Sequence, residues 1–304
     1  MASSSRRVKL KDAIKSKKLV QAGILLLALC SYSNAKYVDL TYALNKETIV
    51  WPGRQLSFNT EIEKKLPDGS WFASKGFCIS EHTSTHMDAP YHFNELGWTL
   101  DKFPIDTFMD LPGVCIDIYD KVHRYEGGEL RTVSNYVLTK EDILEWEDKN
   151  GAIPARALVL VRTGWGKRWP NRNEYYGLPQ ELRTTTEKSA DANPKNSTVE
   201  LESTEASNLN FPGFDASAAL FLTSERQING AGIDTLSLDA GNAKTFPAHK
   251  IFLKRRIFLI ENAANLHLLP AKGFTLFAIP FKVDAGTGAP TRLIAKLPDE
   301  KNNL

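Results

Sequence analysis

The amino-acid sequence predicts a single strand-rich α/β (α+β) domain, and three patterns carry that prediction. Ala157–Arg162 (ALVLVR) is a continuous apolar run of strand length, as expected for a strand covered on both faces. Leu111–Tyr119 (LPGVCIDIY) is a second such run, opened by Pro112-Gly113. Phe274–Val283 and Thr291–Leu297 bracket Asp284-Ala285-Gly286-Thr287-Gly288, which reads as a hairpin with a Gly-rich loop.

The other elements follow in chain order. Tyr37–Ala43 alternates as a first strand, and Trp51-Pro52-Gly53 punctuates the chain after it. Gly76–Glu81 is an apolar strand running straight into a histidine-rich stretch. Thr139, with Asp142 three residues later, opens a short helix reaching Asn150 with a capping-box-like start. Residues 183–209 are rich in Thr, Ser, Glu, Asn and Lys without an apolar period, and read as a flexible polar insertion. Ala216–Gln227 reads as helix, Ile233 begins a strand, and Ile257–Glu261 forms another.

Residues 1–35 read as a signal peptide, which leaves 36–304 as one domain. Arg6–Lys18 carries seven Lys/Arg and one Asp. The apolar stretch Leu19–Cys30 follows, then the small-x-small sequence Ser33-Asn34-Ala35. An uncleaved N-terminal membrane anchor is the alternative, although twelve residues fall short of a hydrocarbon core of about 30 Å. The signal implies a secreted protein or one held in the secretory lumen, where the sequon Asn196-Ser197-Thr198 is a glycosylation site. Cys78 and Cys115 remain in the mature chain, as a disulfide or as free thiols. The net charge of +2, with both signs interspersed, gives no footprint for nucleic acid.

The chain has six histidines, and three fall within His82–His92 (HTSTHMDAPYH). Imidazole nitrogens with a hard carboxylate oxygen are ligands for zinc or manganese. Pro90 and the β-branched Thr83 and Thr85 favour an extended segment, in which His82, His86 and Asp88 share one face across the small Ser84. A helical metalloprotease pairing of His82 with His86 requires Glu where Thr83 stands.

This stretch resembles the H-x-G-T-H-x-D-x-P-x-H signature of the cyclase family, which includes kynurenine formamidases and isatin hydrolases. Ser84 stands where that signature has Gly. Asp39-Leu40-Thr41, Trp51-Pro52-Gly53, Val161–Trp165, Gly232–Ser237 and Gly288–Arg292 are similar to further family blocks, so the likeness runs from about residue 37 to 297. The resemblance implies the cyclase/kynurenine-formamidase type of fold. It also implies Zn2+ or Mn2+, one or two per chain, with His82, His86 and Asp88 on one ion and His249, Glu261 and a bridging Asp88 on the other. It implies a hydrolase of an aryl-linked amide similar to N-formylkynurenine formamidase (arylformamidase), acting in tryptophan catabolism, or alternatively one opening an isatin-like ring. His92 is then the proton shuttle, or a fourth ligand. Trp51, Phe93, Trp98 and Trp165 are candidates for an apolar pocket around a small aromatic amide. A homodimer or higher homo-oligomer is implied likewise. A non-catalytic secreted binding protein is the competing class. Loss of Asp88, His92 or Glu261 would mark it, and all three are present.

Overall fold

The long apolar runs form the staves of one closed sheet. The computed structural model describes residues 35–54, 56–183 and 206–298. Its strands are β1 (Tyr37–Asp39), β2 (Leu56–Lys65), β3 (Trp71–Ile79), β4 (His86–Asp88), β5 (Leu111–Asp117), β6 (His123–Glu126), β7 (Glu129–Thr132), β8 (Val137–Leu138), β9 (Leu158–Arg162), β10 (Gly213–Phe214), β11 (Gly230–Ile233), β12 (Phe258–Glu261), β13 (Lys272–Pro280) and β14 (Gly288–Lys296). The three longest helices among the described residues are α1 (Lys140–Asn150), α2 (Ala216–Glu225) and α3 (Pro247–Lys254).

Strands β14-β13-β5-β9-β11-β12-β4 follow one another, and β4 pairs back onto β14, which closes a seven-stranded barrel. Strands β5, β9, β11 and β12 run parallel, whereas β13, β14 and β4 join antiparallel. Closure leaves no open edge along these strands. β1 extends the antiparallel side on β14.

Alternation sorts the apolar residues into two cores. Leu158, Leu160, Phe258, Ile260, Leu276 and Leu293 fill the inner face. Val159, Val161, Leu259 and Ile233 point outward, against α1, α2 and α3 through Ile143, Leu222 and Phe252. β9 is therefore covered on both faces, as its unbroken apolar run requires. Gly232 makes room within the barrel, because a Cβ there would lie 2.7 Å from Leu160. The capping box at α1 is present, with Asp142 N–H donating to Thr139 Oγ1 at 3.2 Å.

Several expectations need correction. The first strand is only Tyr37–Asp39, and residues 40–43 continue without regular structure. β2 and β3 form a separate two-stranded ribbon in which Trp71, Phe72 and Phe77 are exposed. Cys78 lies exposed on that ribbon rather than buried, and Cys115 is buried in β5, so both thiols are free. The strand expected to begin at Ile233 ends there instead, as β11, and helix α3 occupies a stretch to which the sequence reading assigns no element. Residues 184–205, the bulk of the polar insertion with Asn196, lie outside the described residues, as do residues 1–34. At the end of that insertion, Leu209 is buried beside Trp165 and Tyr175. Among the described residues, no helix is long and apolar enough to cross a membrane.

Candidate metal centre

Strand alternation places the first donors. In β4, Met87 points into the barrel, so His86 and Asp88 point out toward the helices. In β12, Ile260 points in and Glu261 out, and Glu261 pairs with His86 across the ladder. His82 arrives differently. The extended face anticipated for 82–88 holds only from His86 onward, because Ser84 takes φ 58 and bends the chain. The left-handed region is costly for any residue but Gly. In this bend the Ser84 carbonyl accepts from His86 Nδ1 at 2.9 Å and from Asn262 Nδ2 at 2.8 Å. A donating Nδ1 leaves His86 Nε2 free to face the carboxylates.

His249 comes from the first turn of α3. Asp239 fixes it: the carboxylate accepts from Ala248 N at 2.8 Å, from His249 N at 3.1 Å and from His249 Nδ1 at 2.6 Å. His249 Nε2 then lies 3.0 Å from Glu261 Oε1 and 3.3 Å from Asp88 Oδ2. His86 Nε2 lies 3.2 Å from Glu261 Oε2 and 3.3 Å from Asp88 Oδ1. His82 Nδ1 lies 2.7 Å from Asp88 Oδ1, and its Nε2 lies 2.9 Å from Thr287 Oγ1. The donor atoms of His82, His86 and Asp88 lie within 4.8 Å of one another, as do those of Asp88, His249 and Glu261.

The donor set fits a divalent cation on two independent counts. His86 Nε2 and Asp88 Oδ2 are buried without a hydrogen-bond partner, an arrangement that costs free energy unless something else satisfies them. The cluster also demands positive charge. Burial opposes charge on His86, yet the carboxylates of Asp88 and Glu261 outweigh it and raise its pKa to about 10. Burial likewise disfavours charge on His249, but Asp239, Asp88 and Glu261 hold its pKa well above the usual imidazole range. Burial pushes the Asp88 carboxyl up, and His82, His249 and His86 bring it well below its ordinary value. Glu261 is lowered against both burial and Asp88, by His249 and His86. A cation would take the place of the imidazole protons.

His92 follows in the single turn Pro90–His92. Its ring stacks on His82 with centroids 3.9 Å apart. Burial pushes its pKa down to about 4, against Asp88 and helped by His82 and His249, so the ring is neutral at pH 7.

A cavity of about 170 Å3 opens over these groups, walled by Ile49, Trp51, Phe93, Leu236 and Phe246. Trp51 and Phe93 line this cavity. Trp165 does not. It is 1% exposed within a core with Tyr175, Tyr176 and Phe211, and its indole N–H donates to Tyr175 O at 2.7 Å. Trp98 packs instead on Phe103 and Arg256.

The cyclase family model matches residues 38–240, more than half of the chain. The chain belongs to the cyclase family. It is 30% identical to the isatin hydrolase of Roseibium aggregatum over 78% of this chain and 80% of that protein. It is 26% identical to the kynurenine formamidase of Bacillus mycoides, over 86% of this chain and 98% of the relative. Isatin hydrolase A from Labrenzia aggregata, solved bound to benzyl benzoate, superposes with a TM-score of 0.69 at 27% identity, covering 91% of this chain and 99% of that one. These relatives are hydrolases, and the mixed α/β barrel is common to the solved structures.

Sequence reading missed four residues at this cyclase-family site. Asp239 orients His249, and its only signal is an acidic residue ten positions before a histidine. Asn262 joins the Ser84 carbonyl to the Tyr175 hydroxyl, which donates to Asn262 Oδ1 at 2.9 Å. Phe246 takes φ 49 before Pro247 and turns toward the cavity. Arg54 stands on the cavity lining directly after Trp51-Pro52-Gly53, a block whose turn is legible but which does not single out the next residue.

Proposed function

We propose that this protein is a metal-dependent amidohydrolase that cleaves a carbonyl–nitrogen bond attached to an aromatic ring. The observation carrying this reading is the convergence of His82, His86, Asp88, His249 and Glu261 at one aromatic-walled cavity. His82, His86 and Asp88 would hold one ion, and Asp88 with His249 and Glu261 a second. Zn2+ and Mn2+ both suit imidazole and carboxylate donors. When bound, such a cation polarises a carbonyl and makes water acidic enough to act as a nucleophile near neutral pH.

The chain's own residues do the rest. Trp51, Phe93 and Phe246 flank the ring, and the cavity is of the size that holds one: an apolar cavity of about 150 Å3 accommodates benzene. Neutral His92 takes a proton as water adds to the carbonyl carbon. The imidazolium then returns the proton to the nitrogen as the C–N bond breaks; burial, which lowers the pKa of His92, favours this second transfer and opposes the first. An acyl group leaves as the carboxylic acid and the ring nitrogen as the free amine.

An N-formylkynurenine-like aryl formamide is one substrate. N-formylkynurenine is made inside cells, however, and the 30% identity to an isatin hydrolase favours an isatin-like cyclic amide as the second. The deciding experiment measures bound metal and turnover of both compounds by the purified protein. A metal-free protein, prepared without chelator and offered both ions, removes the reading. A metal-loaded protein inert toward aryl amides leaves a binding protein on the same fold.

From the sequence of residues 1–35 and the sequon at Asn196 we propose that the chain enters the secretory pathway, is cleaved after residue 35 and is glycosylated. Secretory expression should yield a chain beginning at Lys36 with a glycosidase-sensitive mass. We also propose a homodimer or higher homo-oligomer. An isolated two-stranded ribbon is marginal in water, and the exposed Trp71 and Phe77 on β2–β3 supply an apolar contact. Trp71→Ser with Phe77→Ser should give a monomer by light scattering.

A further inference from the structure

Arg54 is the one Lys or Arg among the described residues that line the cavity. Local chemistry fixes its place. Trp51-Pro52-Gly53-Arg54 forms a tight turn in which Arg54 N–H donates to Trp51 O at 2.9 Å. Pro52 presets one central φ, and Gly53 takes φ 80, the left-handed value that the third residue of a type II turn requires. One rigid turn therefore brings both Trp51 and Arg54 to the same cavity.

Other arginines of the domain are held by carboxylates: Arg162 by Asp117, Arg226 by Glu147 and Arg292 by Asp39. No such partner, hydrogen bond or ring contact engages the exposed Arg54 side chain among the described residues. Glu261, the carboxylate on the cavity lining, is already committed to His86 and His249. The walls offer apolar surface. What the lining lacks is an anion opposite the guanidinium, whose planar fork matches a carboxylate with two parallel hydrogen bonds.

We propose that Arg54 is a specificity-determining residue that binds a carboxylate carried by the aromatic substrate, so that the cavity selects anionic aryl amides over neutral ones. The proposal rests on the hydrolase reading above and names the substrate class for that site.

The test pairs 2-, 3- and 4-formamidobenzoate with the corresponding formamidobenzamides, which match in shape and lack the charge. With metal-loaded wild type, at least one benzoate should show a KM about tenfold below its benzamide, the scale of a partly solvated charge-assisted contact. In Arg54→Gln that ratio should fall to about one, carried by KM rather than kcat. Arg54→Lys, with charge but no fork, should fall between. Equilibrium binding of the matching aminobenzoates and aminobenzamides, followed by calorimetry, asks the same question without turnover. Raised salt should weaken the aminobenzoate in wild type more than in Arg54→Gln. If no formamide is hydrolysed, the formamidase form of the hydrolase reading fails while the binding series still judges Arg54. A wild type that does not distinguish acid from amide in either series overturns the proposal, and so does an Arg54→Gln protein that keeps the preference.

Discussion

Replacing Asp239 with alanine tests whether the imidazole of His249 is held for a cation or merely packed. The carboxylate accepts from the backbone of Ala248 and His249 at the start of α3 and from His249 Nδ1 at 2.6 Å. Loss of the two backbone contacts resembles loss of a helix cap, about 1 kcal/mol. Loss of a buried hydrogen bond to a charged group costs about 2 kcal/mol more. The metal-free variant should therefore be less stable by about 3 kcal/mol, a fall in Tm of about 6–12 °C for a domain of this size. Free rotation of the ring should also weaken metal binding by about ten- to a hundredfold. Chemical denaturation of the metal-free protein gives the first number and competition with a chromophoric chelator the second. A variant that loses stability but binds zinc and manganese as tightly as wild type would refute the assignment of His249 as a ligand held by Asp239.

Three further outcomes are expected. His92→Ala should keep its metal and lose turnover by about a hundred- to ten-thousandfold; rescue by excess metal would make His92 a ligand instead. Because the carboxylates raise His86 to about 10 and hold His249 well above its usual range, metal binding at pH 7 should release protons, and affinity should fall as pH drops; calorimetry in buffers of different ionisation enthalpy reads the protons directly. Burial pushes Asp142 up, but Lys121, the Thr139 N–H and Tyr136 bring its carboxyl below the ordinary value. A folded pKa below the unfolded one adds stability that is complete above about pH 4 and lost as pH falls through the folded pKa. Denaturation midpoints should decline below about pH 4, and Asp142→Asn should flatten that decline.

The parts of this protein that could be read from its sequence are those where a local pattern and the tertiary environment agree. β9 and β5 are covered on both faces, so their unbroken apolar runs announce strands. Thr139 and Asp142 name the start of α1 by their own hydrogen bonds. In β2, Leu56, Phe58, Thr60 and Ile62 alternate with polar residues, a period of two that the sequence reading passed over because the ribbon buries neither face deeply. Helix α3 is short, and Ala248, His249, Phe252 and Leu253 become a buried face only because barrel and helices meet there. In the site, three histidines so close together are conspicuous. The bend at Ser84 is not, because nothing local to a serine requires φ 58; Asn262, more than a hundred residues later, holds its carbonyl. Trp165 shows the opposite error, since proximity to a family block says nothing about which way an indole faces.

Strand β4 is only three residues long, yet it is the seam of the barrel, paired with β12 on one side and β14 on the other. Met87 seals the interior while His86 and Asp88 hold the outside, so a register slip of one residue would bury two donors in hydrocarbon and expose a core methionine. A cation bound there would act as a staple between chain segments separated by most of the domain, because Glu261 and His249 come from the far end. Closing so long a loop is an entropic burden on folding, and a ligand that binds only the closed form offsets it by mass action, by about 4 kcal/mol at a thousandfold excess over its Kd. Metal supply would then govern how long the folded chain survives, as well as whether its site is armed.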